Sequence, residues 1–234
     1  MTRVSDEPGI VLHTRPYREN SLLVTLLSLN HGRIGLVAKG VRGGRRGRSL
    51  QPFARARLGW TGRSSLGTLT GFDVLDQPWF QGNVLACAFY LSELVVRLLG
   101  ERESHPRLYA GFEWALQNLD RDPALVLRSF EKLLLEELGY GLDFELDVDG
   151  QPIEDAAVYR LIVDRGFALT DEGFRGADLR QIGLEQFGSR GVRLTAKSLF
   201  RQALAHHLGP RPLLSRRLLL GSSVEGIVTE PSTW

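Results

Sequence analysis

The chain has 234 residues, 43% of them hydrophobic, with 29 basic against 27 acidic side chains and a formal net charge of +2. That length suits two small domains with cores of their own, and the apolar share excludes a disordered chain. One cysteine, Cys87, excludes a disulfide framework and a cysteine zinc site, and no stretch nears the roughly 18 consecutive apolar residues of a membrane span.

The first third reads as short strands. Gly9–His13 is a brief apolar run, and Arg15–Asn20 is turn chemistry punctuated by Pro16 and Asn20. Ser21–Leu29 is a longer apolar run, and Asn30-His31-Gly32 makes a hairpin into the next segment. There Arg33, Gly35, Val37 and Lys39 alternate with Ile34, Leu36 and Ala38, the period of a half-buried strand. Gly40, Gly43, Gly44 and Gly47 follow, interleaved with Arg42, Arg45, Arg46 and Arg48. Glycine lets a backbone approach a ligand closely, and arginine offers a planar fork for phosphate. Further strands are predicted at Phe53–Trp60 and Leu66–Val74. Five strands in this space point to a small closed barrel of the OB type, a fold that binds single-stranded nucleic acid.

Charge supports that reading. Asn20 to Phe72 holds nine basic residues and no acidic one, whereas residues 73–234 hold 17 basic against 24 acidic. A basic module joined to an acidic one of another kind follows. The candidate nucleic-acid contacts are Arg15, Tyr17, Arg18, Arg33, Lys39, Arg42, Arg45, Arg46 and Arg48, with Tyr17 the best candidate to stack on a base. Phe53, Trp60 and Phe72 read as barrel core, with base stacking the alternative.

Beyond Pro78 the texture turns helical. Asn83 is a candidate cap for a helix over Val84–Leu99, with Cys87 a small buried hydrophobe inside it. A second helix starts at Pro106 with a Leu108, Phe112, Ala115, Leu116, Leu119 stripe, and a third starts at Asp122-Pro123 and stops at Gly139. Residues 141–193 are mixed and Gly-rich. Thr195–Leu208 and Ser215–Leu220 read as closing helical pieces. The fold class expected is α+β, an N-terminal OB-fold barrel over 1–78, an all-helical domain over 79–221 and a flexible tail over 222–234.

In the third helix, Val126, Leu127, Phe130, Leu133, Leu134 and Leu138 make the expected core face. Leu125, Arg128, Lys132 and Leu135 fall near one line opposite it. They form either a mixed apolar and basic groove or a packing face against a neighbour.

No catalytic pattern stands out. The basic loop lacks the Gly-Lys offset of a Walker loop, and the acidic run from Asp143 to Asp149 has Ala156 where a calcium loop needs glutamate. Adjacent His206 and His207 point about 100° apart on a helix, poorly placed to share a metal. No enzyme, cofactor or metal is expected. The opening MTRVSDEPG has no apolar signal core, which suggests a cytoplasmic protein.

The runs VLHTRPYRENSLLVTLLS, GRIGLVAKGVR, LQPF, FEKLLLEELGYG and LSRRLL, in that order, resemble the RecO family of bacterial DNA-repair and recombination mediators. The likeness spans about Gly9 to Leu220. It implies an OB-fold followed by a helical domain. Some members carry a cysteine zinc cluster, which Cys87 alone cannot supply. It further implies binding and annealing of single-stranded DNA, weaker binding of duplex, partnership with RecR to load RecA, and a nucleoid-associated setting without membrane. The family receives the acidic, phenylalanine-ending tail of the single-strand-binding protein SSB on its helical domain, and Leu125, Arg128, Lys132 and Leu135 fall in the matching helix. A stand-alone single-strand binder resembling an RNA chaperone is the alternative.

Overall fold

The structure is a computed structural model and describes residues 3–40, 50–62, 66–216 and 218. Five strands, β1 (Arg3–Tyr17), β2 (Ser21–Ser28), β3 (Gly32–Ala38), β4 (Arg55–Thr61) and β5 (Leu66–Asp76), close a barrel in the order β1-β2-β3-β5-β4. All pairs are antiparallel except β3 with β5. β1 is much longer than its apolar run Gly9–His13, because polar Arg15, Pro16 and Tyr17 still pair, with Leu23, Leu22 and Ser21. Strand pairing is backbone chemistry, so the ladder runs on past the apolar stretch.

Inside the barrel Val11, Val24, Leu26, Ile34, Leu36, Leu58 and Trp60 are buried together. Trp60 is therefore core, as is Phe53, and Phe72 is half-buried against the same core. The outside of the barrel is covered on one flank. Ile10, Leu12, Leu27 and Phe53 point away from the barrel interior into a second core shared with the helices. Each large apolar side chain taken from water there contributes roughly 2 kcal/mol. Phe53 holds φ at 71°, and its ring packs on Phe80 and Phe89 at 5.6 and 5.0 Å. That packing sustains a backbone conformation a bulky residue otherwise avoids.

α1 (Gly82–Leu98) runs along this flank, with Gln81 rather than Asn83 at its N-cap. α2 (Pro106–Asn118) begins on its proline, and α3 (Pro123–Glu137) is capped by Asp122, which accepts from the Leu125 amide at 3.1 Å. The second half is not all helical. β6 (Val158–Ile162), β7 (Gly166–Thr170) and β8 (Phe174–Arg175) form a three-stranded sheet within it, in the order β7-β6-β8. These strands are short and bounded by glycine turns, so their pairing partners, not their own periodicity, define them. α4 (Gly176–Gly183) and α5 (Arg190–Leu208) follow, the latter capped by Ser189, which accepts from the Val192 amide at 3.1 Å. The tail over 222–234 lies outside the described residues.

Candidate nucleic-acid interface

The flank of the barrel turned away from the helices is built by β1, β2, β3 and β5. Because Ile34, Leu36 and Ala38 fill the interior, Gly35 and Val37 face out. Register sets His13, Thr25, Gly35 and Leu66 in one outward row and Arg15, Leu23, Val37 and Thr68 in the next. A cavity of about 140 Å3 lies on the first row, with Arg15 at its edge. Tyr17 ends β1 opposite Ser21, and the Arg18 guanidinium stands 5.2 Å from its ring centroid. That contact is a cation–π pair, so one face of the ring already carries a cation. Lys39 is exposed just past the end of β3, on the same rim. Arg15, Tyr17, Arg18 and Lys39 are thus brought together. Arg42, Arg45, Arg46 and Arg48 lie outside the described residues.

Arg33 does not join them. It opens β3 at the opposite end of the barrel, where its Nε donates to the Leu99 carbonyl at 2.9 Å and Nη1 lies 3.5 Å from Glu101 Oε1. Its own carbonyl accepts from the Arg102 amide at 3.0 Å. The hairpin carrying Arg33 abuts the chain leaving α1, so its cation serves that junction. Ser104 donates to the Leu29 carbonyl at 3.0 Å beside it. Glu7 holds the hairpin from beneath, accepting from Ser28 Oγ at 2.6 Å and the Asn30 amide at 2.7 Å. Burial opposes its charge, but the Ser28 and Asn30 hydrogen bonds prevail and hold the carboxyl below its ordinary range.

The predicted groove on α3 is also not an open face. α3 packs against α2, α5 and α1, so two of its sides are covered. Leu135 is 1% exposed, Arg128 8%, and Leu125 and Lys132 are half-buried. Leu127, Leu133 and Leu138, assigned to the core face, are only partly buried. Arg128 Nη1 lies 3.0 Å from Glu131 Oε2, and the Tyr90 hydroxyl donates to Glu131 Oε1 at 2.6 Å. Burial pushes the Glu131 carboxyl above its ordinary value, against the pull of Arg128. Lys132 is bonded to Glu136 and Glu185, both at 3.1 Å.

A different basic cluster emerges at the edge of this seam. Burial, then the charges of Arg128 and Arg201, hold the Lys197 ammonium below its ordinary value, and Arg216 adds to them against Glu131. Arg216 is positioned by Glu93 on α1, which accepts from the Leu214 and Ser215 amides at 2.8 Å each. Burial is the first cause of that shift, and the surrounding guanidinium groups add to it. Exposed Leu194, Leu214 and Leu218 belong to the same two segments. Lys197, Arg201 and Arg216 lie on two segments far from Arg128 in the chain, so no local pattern groups them in the sequence. The Arg128–Glu131 spacing of three was the one local signal that Arg128 is paired.

Among the described residues no group of three or more histidine, cysteine, aspartate or glutamate side chains is placed to hold a metal. His206 and His207 do converge, with Nε2 atoms 3.6 and 3.5 Å from the two oxygens of Asp164. In the acidic run, Asp143 and Asp147 accept from backbone amides of their own turns. No helix among the described residues is long and apolar enough to cross a membrane.

Two family models match the chain, described as Recombination protein O N terminal over residues 1–78 and Recombination protein O C terminal over residues 80–217. The chain is similar to the DNA repair protein RecO of Aromatoleum aromaticum, at 38% identity over 93% of this chain and 95% of that one. It is likewise similar to the DNA repair protein RecO of Cellvibrio japonicus, at 41% identity over 94% and 99%. A third match is the protein of that name from Methylococcus capsulatus, at 38% identity over 95% and 96%.

Proposed function

This chain belongs to the RecO family of DNA repair proteins, and on that premise we propose that it is a non-catalytic recombination mediator that binds and anneals single-stranded DNA. In this reading residues 1–78 hold the strand and residues 79–221 receive protein partners, RecR and the SSB tail among them, toward loading of RecA. The observation that carries it is the barrel flank turned away from the helices, with Arg15, Arg18 and Lys39 on one rim and no acidic residue between Asn20 and Phe72. Phosphates meet cations along that rim, and in the sequence Arg42, Arg45, Arg46 and Arg48 follow Lys39 within nine residues.

For the acidic tail, the burial of Leu135 and the pairing of Arg128 favour the seam edge over the α3 groove. There Lys197, Arg201 and Arg216 supply charge for carboxylates, and Leu194 and Leu214 supply exposed apolar surface for an aromatic end. Arg128 contributes from behind as part of the same positive field.

The test is anisotropy of a labelled oligo(dT) across a salt series. Replacing Arg42, Arg45, Arg46 and Arg48 with alanine should lower the slope of log K against log salt by about 0.7 per lost contact. An unchanged slope would remove the loop from the interface. A labelled acidic peptide ending in phenylalanine, added to the same protein, should bind with an affinity that Lys197→Ala and Arg216→Ala reduce. A peptide that fails to bind at all leaves a stand-alone strand binder.

A further inference from the structure

The outward row His13, Thr25, Gly35, Leu66 has a gap in it. Gly35 stands mid-strand between Thr25 on β2 and Leu66 on β5, where every other row position offers a side chain. Its backbone does not require glycine, since it is not among the residues with positive φ. Glycine inside a strand costs stability, and where the backbone does not demand it the usual reason is close approach of something else. Among the described residues His13, Arg15, Leu23, Val24, Thr25 and Leu66 border the space beside Gly35, a cavity of about 140 Å3.

The walls are specific in character. Leu66 is a large apolar side chain left 42% exposed, and Leu23 faces the same space. His13 supplies a polar edge, and it reaches this face because a bulge shifts the register between Val11 and His13, letting Leu12 turn to the helices while His13 turns to solvent. Arg15 lines the cavity as well. The volume is too large for one ion and falls well below the roughly 300 Å3 at which cofactor pockets begin. A flat ring with apolar faces and a polar edge, attached to a phosphate, matches that description.

Resting on the single-strand reading above, we infer that the Gly35 notch takes one unstacked, single-ring base of the bound strand, with Leu66 and Leu23 against the ring, His13 at its edge and Arg15 on the adjoining phosphate. Strand binding on this flank then has a base-dependent part and a backbone-dependent part, and the two are separable.

The experiment compares oligo(dT) with an abasic oligonucleotide of equal length, by anisotropy at one salt concentration. Wild-type protein should prefer the base-bearing strand by about fivefold or more. Gly35→Val, which plugs the notch with a strand-compatible side chain, should bring oligo(dT) down to the abasic level. Thr25→Leu, which fills the same space from β2, serves as a second plug should the first variant not fold. Equal binding of both strands by wild type would overturn the notch and leave the single-strand reading standing. Full preference in a folded plug variant would also overturn it. Absence of binding to either strand would overturn both.

Discussion

The two ends of the barrel carry similar cations and use them in opposite ways. At the end formed by Ser28 to Arg33, the arginine bonds to Leu99 and Glu101, glutamate Glu7 is sealed under the hairpin, and the whole corner is pressed against the chain after α1. At the other end, Arg15 and Lys39 stand exposed and Arg18 rests over Tyr17. What differs is the neighbour. A cation whose strand end abuts another element is drawn into the fold, while one whose strand end meets water stays available to a ligand. Arg128, buried against Glu131, belongs with the first kind.

Arg128→Ala should break this contrast most severely. Removing one partner of a buried pair leaves Glu131 without its ion-pair partner, a loss of about 3–5 kcal/mol readable by urea unfolding at neutral pH. Burial already raises the Glu131 carboxyl, and loss of the nearby guanidinium raises it further. The folded variant then binds the proton more tightly than the unfolded chain, so its deficit should shrink as pH falls through that window. For the same reason Arg128→Ala is a poor probe of partner docking, and Lys197→Ala a cleaner one.

Next in size is Gly32→Val. Gly32 has φ of 65°, and an added Cβ would lie 1.8 Å from the Glu103 carbonyl oxygen. Strain and clash together should remove about 3 kcal/mol by the same unfolding assay. Arg33→Ala should cost about 1.5–3 kcal/mol, the value of a charge-assisted hydrogen bond, and leave the salt slope of strand binding where it was. A lower slope in that variant would return Arg33 to the interface. Smallest in stability are Arg15→Ala and Lys39→Ala, each within about 0.5 kcal/mol of wild type. Both should instead reduce the salt slope, by about 0.7 apiece.

Strand positions were legible in the barrel because one side of each strand is interior, and a period of two survives even in β3, which carries Arg33 and runs out into Lys39. The five-strand barrel and the starts of α2 and α3 followed from such local signals. α3 was misread for a physical reason. A single apolar stripe predicts one buried side, but α3 is wedged among α1, α2 and α5, and a paired arginine can be buried where a stripe expects solvent. The sheet β6–β8 gave no readable period because two of its strands have five residues and one has two. Arg33 looked like its neighbours in sequence, since nothing local encodes that residues 99–102 arrive beside it.

The core shared by Ile10, Leu12, Leu27 and Phe53 with α1 and the helices beyond has a thermodynamic consequence. Cutting the chain near residue 78 would expose those four side chains to water, so the barrel and the helices are expected to melt in one transition. Occupancy at one half then counts as stability for the other by mass action. A strand held on the barrel at a hundred times its dissociation constant would add about 2.7 kcal/mol to the unfolding of the whole chain, α5 included. Protease resistance of the helical half would in that way report on DNA it never touches.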